Sequence, residues 1–512
     1  MGAQWSRPKV VATLDFSAPL CDVRGVRRLT YIACAASLTL AATAHAAGLD
    51  SPLIGTAASG PLTLDAAAIW HNPAALAQLK RPQLLFGAQF VLGGISYTRQ
   101  RRGRYQKPDG FEIVDPVDPT SLDASLTGDA ASTGATIATG AGDLFLAVPV
   151  HDRVVLGAGL YVPYAAPVAY DEDGPQRWSL QEAFMAMPHA TASVGVKLHP
   201  RISVGGGVSA ILGTANMRKV QDFAALDAFG EALDGAPANQ DNSFGADAPT
   251  TVRELDVLAR QVSITDATAF NVTFNLGLYA QPTDDLRLAL TYQHGADLVF
   301  EGDFALDLSD DLFTQDLGPT GLAFDPLVTG RARLGLVLPK RIGAAGAWRF
   351  SDRFELEGRL HYITWSDLEA LRITLKSPQL AQPDFGLPDV SRSDLIRNWN
   401  DSVYVDVYGH LAVGRASTLT VGLGYQSPAS PDETVDVASP DGQRFALRGQ
   451  LAWPLGTDDA AQAAWLMAVH GTVEAIVPRA VTDSDNDLAN GSYSMAVGSA
   501  GVHMTWRWGA NR

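Results

Sequence analysis

From Gln83 to the C-terminus the chain repeats one pattern of apolar and polar positions. Segments of about 10 to 16 residues alternate apolar with small or polar side chains, and each ends in a very short turn or a long polar connection. Phe354 to Trp365 shows it best: Phe354, Leu356, Gly358, Leu360 and Tyr362 share one face, and Glu355, Glu357, Arg359 and His361 share the other. A period of two sets one face against an apolar medium and the other against a wetter space. Val403, Val405, Val407 and Leu411 likewise oppose Tyr404, Asp406, Tyr408 and His410, and Phe445, Leu447, Leu451 and Trp453 oppose Arg444, Arg448 and Gln450. One such strand fits a soluble sandwich as well as a membrane barrel.

The connections separate these readings. Short turns are predicted near 151–153, 199–201, 282–285, 351–353, 414–417 and 456–459, and long connections near 102–140, 166–187, 215–260, 302–330, 378–400, 428–442 and 479–490. Alternating short and long connections with an even strand count is the layout of an outer-membrane barrel. In lipid every backbone N–H and C=O must be paired, and a closed sheet does this without an edge. The predicted fold is therefore all-β: a transmembrane antiparallel β-barrel of about fourteen strands, with an N-terminal plug, or hatch, in its lumen. Tyr97, Tyr164, Trp348, Trp365, Tyr425, Trp453, Trp506 and Trp508 lie near predicted strand ends and are expected in the interfacial aromatic girdles.

The N-terminal region divides in two. Arg24, Arg27 and Arg28 precede an apolar Leu29–Thr43, and Ala44-His45-Ala46 fits a small-x-small cleavage site, so residues 1–46 read as a leader with a secretory signal peptide. Ala47 to Pro82 is rich in Ala, Gly and Pro, too irregular for a strand and too broken for one long helix; it is assigned as the hatch, and 83–512 as the barrel with its extracellular loops. Both cysteines, Cys21 and Cys34, fall in the leader, which excludes a disulfide-held exported fold. A net charge of −17 argues against nucleic acid as a partner. Acidic clusters such as Asp171-Glu172-Asp173 and Asp483–Asp487 could bind divalent cations, but a solvated loop explains them more simply.

Val220 to Leu233 places Phe223, Leu226, Phe229 and Leu233 at helical spacing, an amphipathic helix that either packs on a neighbouring loop or forms part of a surface groove for an apolar ligand. No G-x-S-x-G elbow or other convincing nucleophile constellation is present, so a lipid-hydrolysing barrel is disfavoured. An adhesin and a general water-filled porin remain as other classes.

With leader, plug and barrel in place, the chain resembles the FadL-type outer-membrane transporters of long-chain fatty acids and other hydrophobic compounds. The resemblance rests on Asn72-Pro73-Ala74 in the plug, His151–Tyr164, Leu338-Pro339 with Tyr362–Ser366, and Tyr425–Phe445. It implies passive uptake of a fatty acid or similar compound, with aromatic hydrocarbons the alternative cargo, by a monomer in the Gram-negative outer membrane, without cofactor, metal or catalytic residues. Asn72, Pro73 and Ala74 would belong to the gate, and Phe223, Leu226, Phe229 and Leu233 to the outer groove. A wall kink would lie near Val162, Pro163, Tyr164 and Ala165; proline lacks the N–H for a ladder bond, though Pro163 could equally just end its strand. Arg359, Arg444 and Arg448 fall on lumen-facing positions and are candidates for a ligand carboxylate, or for bracing the wall against Glu355, Glu357, Asp406 and Glu474.

Overall fold

The structure, a computed structural model, describes residues 54–100, 104–106, 112–114, 132–222, 259–309, 325–381 and 388–509, less 173, 415, 458, 461 and 486–488. Eighteen strand segments form one antiparallel sheet that closes on itself. Six continuous strands come first: β1 (Gln83–Arg99), β2 (Ser132–His151), β3 (Val154–Ala169), β4 (Glu182–His199), β5 (Ile202–Asp222) and β6 (Ala259–Ala280). The next four positions are each filled by two segments end to end: β7 (Leu286–Gln293, Ala296–Asp307), β8 (Leu327–Leu338, Arg341–Ser351), β9 (Phe354–Ile363, Ala370–Lys376) and β10 (Val390–Ile396, Ser402–Val413). Four continuous strands complete the ring: β11 (Ser417–Gln426), β12 (Arg444–Leu455), β13 (Trp465–Val481) and β14 (Gly491–Arg507). The ring thus has fourteen positions, and β14 pairs with β1 along its whole length, from Gln83↔Arg507 to Arg99↔Gly491.

The side-chain period explains the wall. Outward positions are apolar and exposed, with Phe270 at 65% and Leu423 at 63% of full accessibility, while Glu357, Arg359, Asp406, Arg444, Arg448 and Glu474 are buried inside. A water-soluble protein rarely exposes an apolar belt on this scale; in hydrocarbon the same belt is the stable surface. No helix among the described residues is long and apolar enough to cross a membrane. The strands do the crossing.

Two expectations are corrected. Trp365, Tyr97 and Tyr164 are not girdle residues: Trp365 is fully buried, Tyr97 donates to the Asn490 carbonyl at 2.9 Å, and Tyr164 packs against His189. Strand ends here carry aromatics on both faces, and the even or odd position, not nearness to a turn, decides which medium each one meets. Trp348 and Trp506 do face outward. The strands expected between 285 and 302, 330 and 351, and 353 and 378 are interrupted at 294–295, 339–340 and 364–369; the predicted connection 378–400 instead holds a strand segment, Val390–Ile396, separated from the next at 397–401, and all four interruptions fall on adjacent positions of the ring.

Candidate ligand path

The plug, described from Ile54, fills the lumen with a short helix α1 (Ala68–His71) and a 3₁₀ turn over Pro73–Gln78. It is too short to bury its own backbone groups, so inward-facing wall side chains satisfy them. Asn275 Nδ2 donates to the carbonyls of Ile69 (2.9 Å) and Trp70 (3.1 Å), and Gln293 Nε2 to that of Trp70 (2.8 Å). Arg359 donates to the carbonyls of Ser59 (2.8 Å) and Ala58 (2.5 Å), and Gly55 N–H donates to Asp143 Oδ2 at 2.7 Å. Asn72 organises the centre: its Nδ2 donates to the Pro61 (2.9 Å) and Leu278 (3.2 Å) carbonyls, and its Oδ1 caps the 3₁₀ turn by accepting from Ala74 N–H at 3.1 Å. Pro73 sits at the first position of that turn, where a missing N–H costs nothing. Pro73 and Ala74 pack where glycines of β4, β5 and β6 leave room for backbone.

The three candidate arginines take different places. Arg359 pairs with Glu357 at 2.5 Å, and Arg448 bridges Asp406 (2.6 Å) and Glu474 (2.9 Å). These two brace the wall and the plug. Arg444 is equally buried, but its Nη1 and Nη2 have no hydrogen-bond partner among the described residues. Glu355, Glu357 and His410 converge within 4.8 Å at a 370 Å³ vestibule on the short-turn side, yet both carboxylates are already engaged, by Arg287 and Arg359.

Val162 to Ala165 coincide with a defect in the wall. The β3–β4 register slips between Tyr161↔His189 and Tyr164↔Met187, so β3 carries one extra residue there, a bulge containing Val162 and Pro163. The β2–β3 ladder runs from His151↔Val154 to Leu144↔Leu160, and Tyr161–Ala169 lies beyond it. Tyr164 and Ala165 are both buried, Tyr164 against His189 and Ala165 in a separate small cluster with Ala141 and Ala186. Tyr161 stacks with Phe145 and His189 and meets plug residue Trp70 at 5.3 Å between ring centroids, which ties the bulge to the plug.

An apolar cavity of about 170 Å³ abuts this defect. Ala166 of β3 and Phe184 of β4 form one side, Leu334, Leu336 and Ile373 from the upper segments of β8 and β9 the other, and Trp178 closes an end. Two cations line it. Arg397 pairs with Asp436 at 2.8 Å, whereas Lys219 forms no ion pair among the described residues. Sequence reasoning missed Lys219, Trp178 and Arg397, because alternation says which face a residue takes but not which loops fold over the opening. None of Arg359, Arg444 and Arg448 lines this cavity. Phe223, Leu226, Phe229 and Leu233 lie outside the described residues.

Comparison with known proteins agrees with this architecture. Residues 32–475 match the family described as outer membrane protein transport protein (OMPP1/FadL/TodX). The long-chain fatty acid transport protein of Escherichia coli K12 is 22% identical over 78% of this chain and 81% of its own. Outer membrane protein P1 of Haemophilus influenzae is 22% identical over 77% and 80%. Among solved structures, a Pseudomonas aeruginosa FadL homologue superposes with a TM-score of 0.68 at 19% identity, covering 91% of this chain and 99% of its own. The toluene transporter TodX of P. putida does so at 0.58 and 14%, covering 87% and 95%. At these identities the structures share the fold.

Proposed function

This chain belongs to the outer membrane protein transport family (OMPP1/FadL/TodX), and from that premise we propose that it takes up an amphipathic, carboxylate-bearing hydrophobic compound of the long-chain fatty acid class by passive partition. The observation that supports this reading is the apolar cavity beside the part of β3 that lies beyond the β2–β3 ladder, with Lys219 on its wall. Apolar burial supplies the driving force, about 0.8 kcal/mol per methylene taken from water. Lys219 pairs with the carboxylate, and Arg444 offers a second anion station in the lumen. Val162–Ala165 form the kink through which the ligand leaves sideways into the bilayer. The hatch, with Asn72, Pro73 and Ala74 at its centre, keeps water and ions from following. The outer groove is assigned to the segment carrying Phe223, Leu226, Phe229 and Leu233, outside the described residues.

A second cargo, a monoaromatic hydrocarbon, has one observation in its favour. The cavity volume of about 170 Å³ is close to the roughly 150 Å³ at which a dry apolar cavity accepts benzene. One experiment decides between them: binding of oleate and of toluene to protein purified in mild detergent, with the wild type and Lys219→Met. Loss of oleate binding alone in the variant supports the carboxylate reading. Toluene binding without oleate binding in the wild type replaces it with the aromatic one, and binding of neither rejects both.

A further inference from the structure

The ring has a second break, between β6 and β7. Their lower ladder ends at Asn275↔Gln293, with one more bond from His294 N–H to the Phe274 carbonyl at 2.9 Å. Pairing resumes only at Thr268↔Glu301. Between these points Ala269–Thr273 has no ladder partner on β7. Side chains from β6 close the gap instead: Thr273 Oγ1 donates toward the His294 (2.8 Å) and Gly295 (3.1 Å) carbonyls, and Asn271 Nδ2 donates to the Asp297 carbonyl. A wall held by side chains opens more easily than one held by a ladder, because rotamer changes alone release it.

Both sides of this break are hollow. Outside lies a crevice of about 530 Å³, and inside a narrow chamber lined by Trp70, Tyr164 and His189; the two share His294, Gly295, Ala296 and Leu338 as a common partition. Val272 lines the crevice together with the charged side chains of Asp297, Lys340, Asp367, Glu369 and Arg372, and the exposed apolar residues Phe270 and Phe274 lie beside it on β6. Phe274 stacks on His294 at 4.7 Å, an aromatic sill at its lower edge. The inner chamber has a volume of about 10 Å³, roughly room for one water, so the partition is shut while Trp70 stays docked.

We propose that the β6–β7 break is a second lateral window, through which an apolar ligand exchanges between the bilayer and the chamber behind Trp70 when the plug shifts. The inference rests on the transport reading for its cargo but not for its geometry. It distinguishes this window from the β3 kink, which lies across the chamber beside Tyr164.

The test uses the full exported chain in liposomes, in a background whose β3 bulge is removed by deleting Pro163. Asn271→Cys with Asp297→Cys, in a chain whose Cys21 and Cys34 are replaced by serine, is bridged by a short, cleavable bis-maleimide. A photoactivatable diazirine fatty acid dissolved in the bilayer reports access, and mass spectrometry maps its adducts. Adducts on Trp70 or His189 are expected in the unbridged protein, at least fivefold fewer after bridging, and restored on cleavage. Thr273→Val, which removes one closure without a linker, is expected to raise them. Adducts that survive bridging, or that never form in the unbridged protein, overturn the window. Adducts that follow this pattern in a protein that moves neither oleate nor toluene leave the window standing and reject the transport reading.

Discussion

Gly277 of β6 faces Asn72 of the plug so closely that a Cβ at 277 would lie 1.9 Å from Asn72 Oδ1. The wall is glycine here because the plug's organising side chain occupies the space of a methyl group. Gly205 does the same for the plug backbone, where a Cβ would lie 2.4 Å from Ala74 N. Gly277→Ala is therefore expected to push Asn72 off the Leu278 carbonyl and loosen the hatch without opening the ring. Asn72→Ala removes the same bonds from the other side and takes its partner from the buried Pro61 carbonyl, at about 1–3 kcal/mol. Planar-bilayer recordings check both: each variant should show ion conductance well above the wild type, and a silent Gly277→Ala would show that the contact does not hold the plug.

The two buried arginines of β12 should respond in opposite ways. Arg448→Met takes the bridging guanidinium from Asp406 and Glu474, both almost fully buried, and breaking such a pair costs about 3–5 kcal/mol. Arg444→Met removes a guanidinium whose Nη atoms have no partner among the described residues, so it should fold as well as the wild type. Heat-modifiability on gels and urea unfolding in detergent read the stability. If Arg444 is an anion station, its variant should also weaken oleate binding and leave toluene untouched.

Acid should loosen the plug through His71. Burial, with Arg359 and Arg341 nearby, holds its imidazole down to about 4 against an ordinary 6.5, despite the Ile54 carbonyl that its Nε2–H bonds at 2.8 Å and the Glu357 charge. The docked plug thus keeps His71 neutral while a released plug protonates it, so docking is at full strength above about pH 6.5 and weakens as pH falls toward 4. Asp65 works the other way: burial raises its carboxyl, so the docked form holds a proton that the released form gives up as pH climbs. Limited proteolysis of the plug at pH 5 and 7.5 should show faster cleavage at pH 5. His71→Asn should flatten that difference, and Asp65→Asn should enlarge it.

The barrel was legible because its signal is redundant. Leu356 and Leu360 outward with Glu357 and Arg359 inward is the same statement made again at Val405 and Asp406, and at Leu447 and Arg448. The breaks in β7 to β10 were not legible. His294-Gly295 reads as ordinary strand, and Pro339, one of the residues that carry the resemblance, does not by itself mark a break, until the ladders are seen to part on either side of them. Lys219 was invisible for a related reason: the cavity it lines is completed by Arg397 and Asp436, nearly two hundred residues or more away in sequence. Trp365 shows the limit of a positional rule, since it sits at a strand end like a girdle residue yet meets Trp399 inside at 5.4 Å.

The cavity's size gives the last expectation. Ala215 lines it and is almost fully buried, so Ala215→Leu places extra methyl groups where the ligand should sit. In a packed wall such overpacking costs about 1–3 kcal/mol; here the empty volume absorbs the side chain, and the ligand loses the space instead. Ala215→Leu should therefore keep its unfolding midpoint but bind oleate at least tenfold more weakly, a loss of about 1.4 kcal/mol. Leu334→Ala works in reverse: it costs stability, about 2–5 kcal/mol for a buried leucine, and enlarges the cavity toward bulkier ligands. Calorimetric titration alongside urea unfolding separates the two effects. A variant Ala215→Leu that binds oleate like the wild type would move the binding site out of this cavity and onto the loops above it.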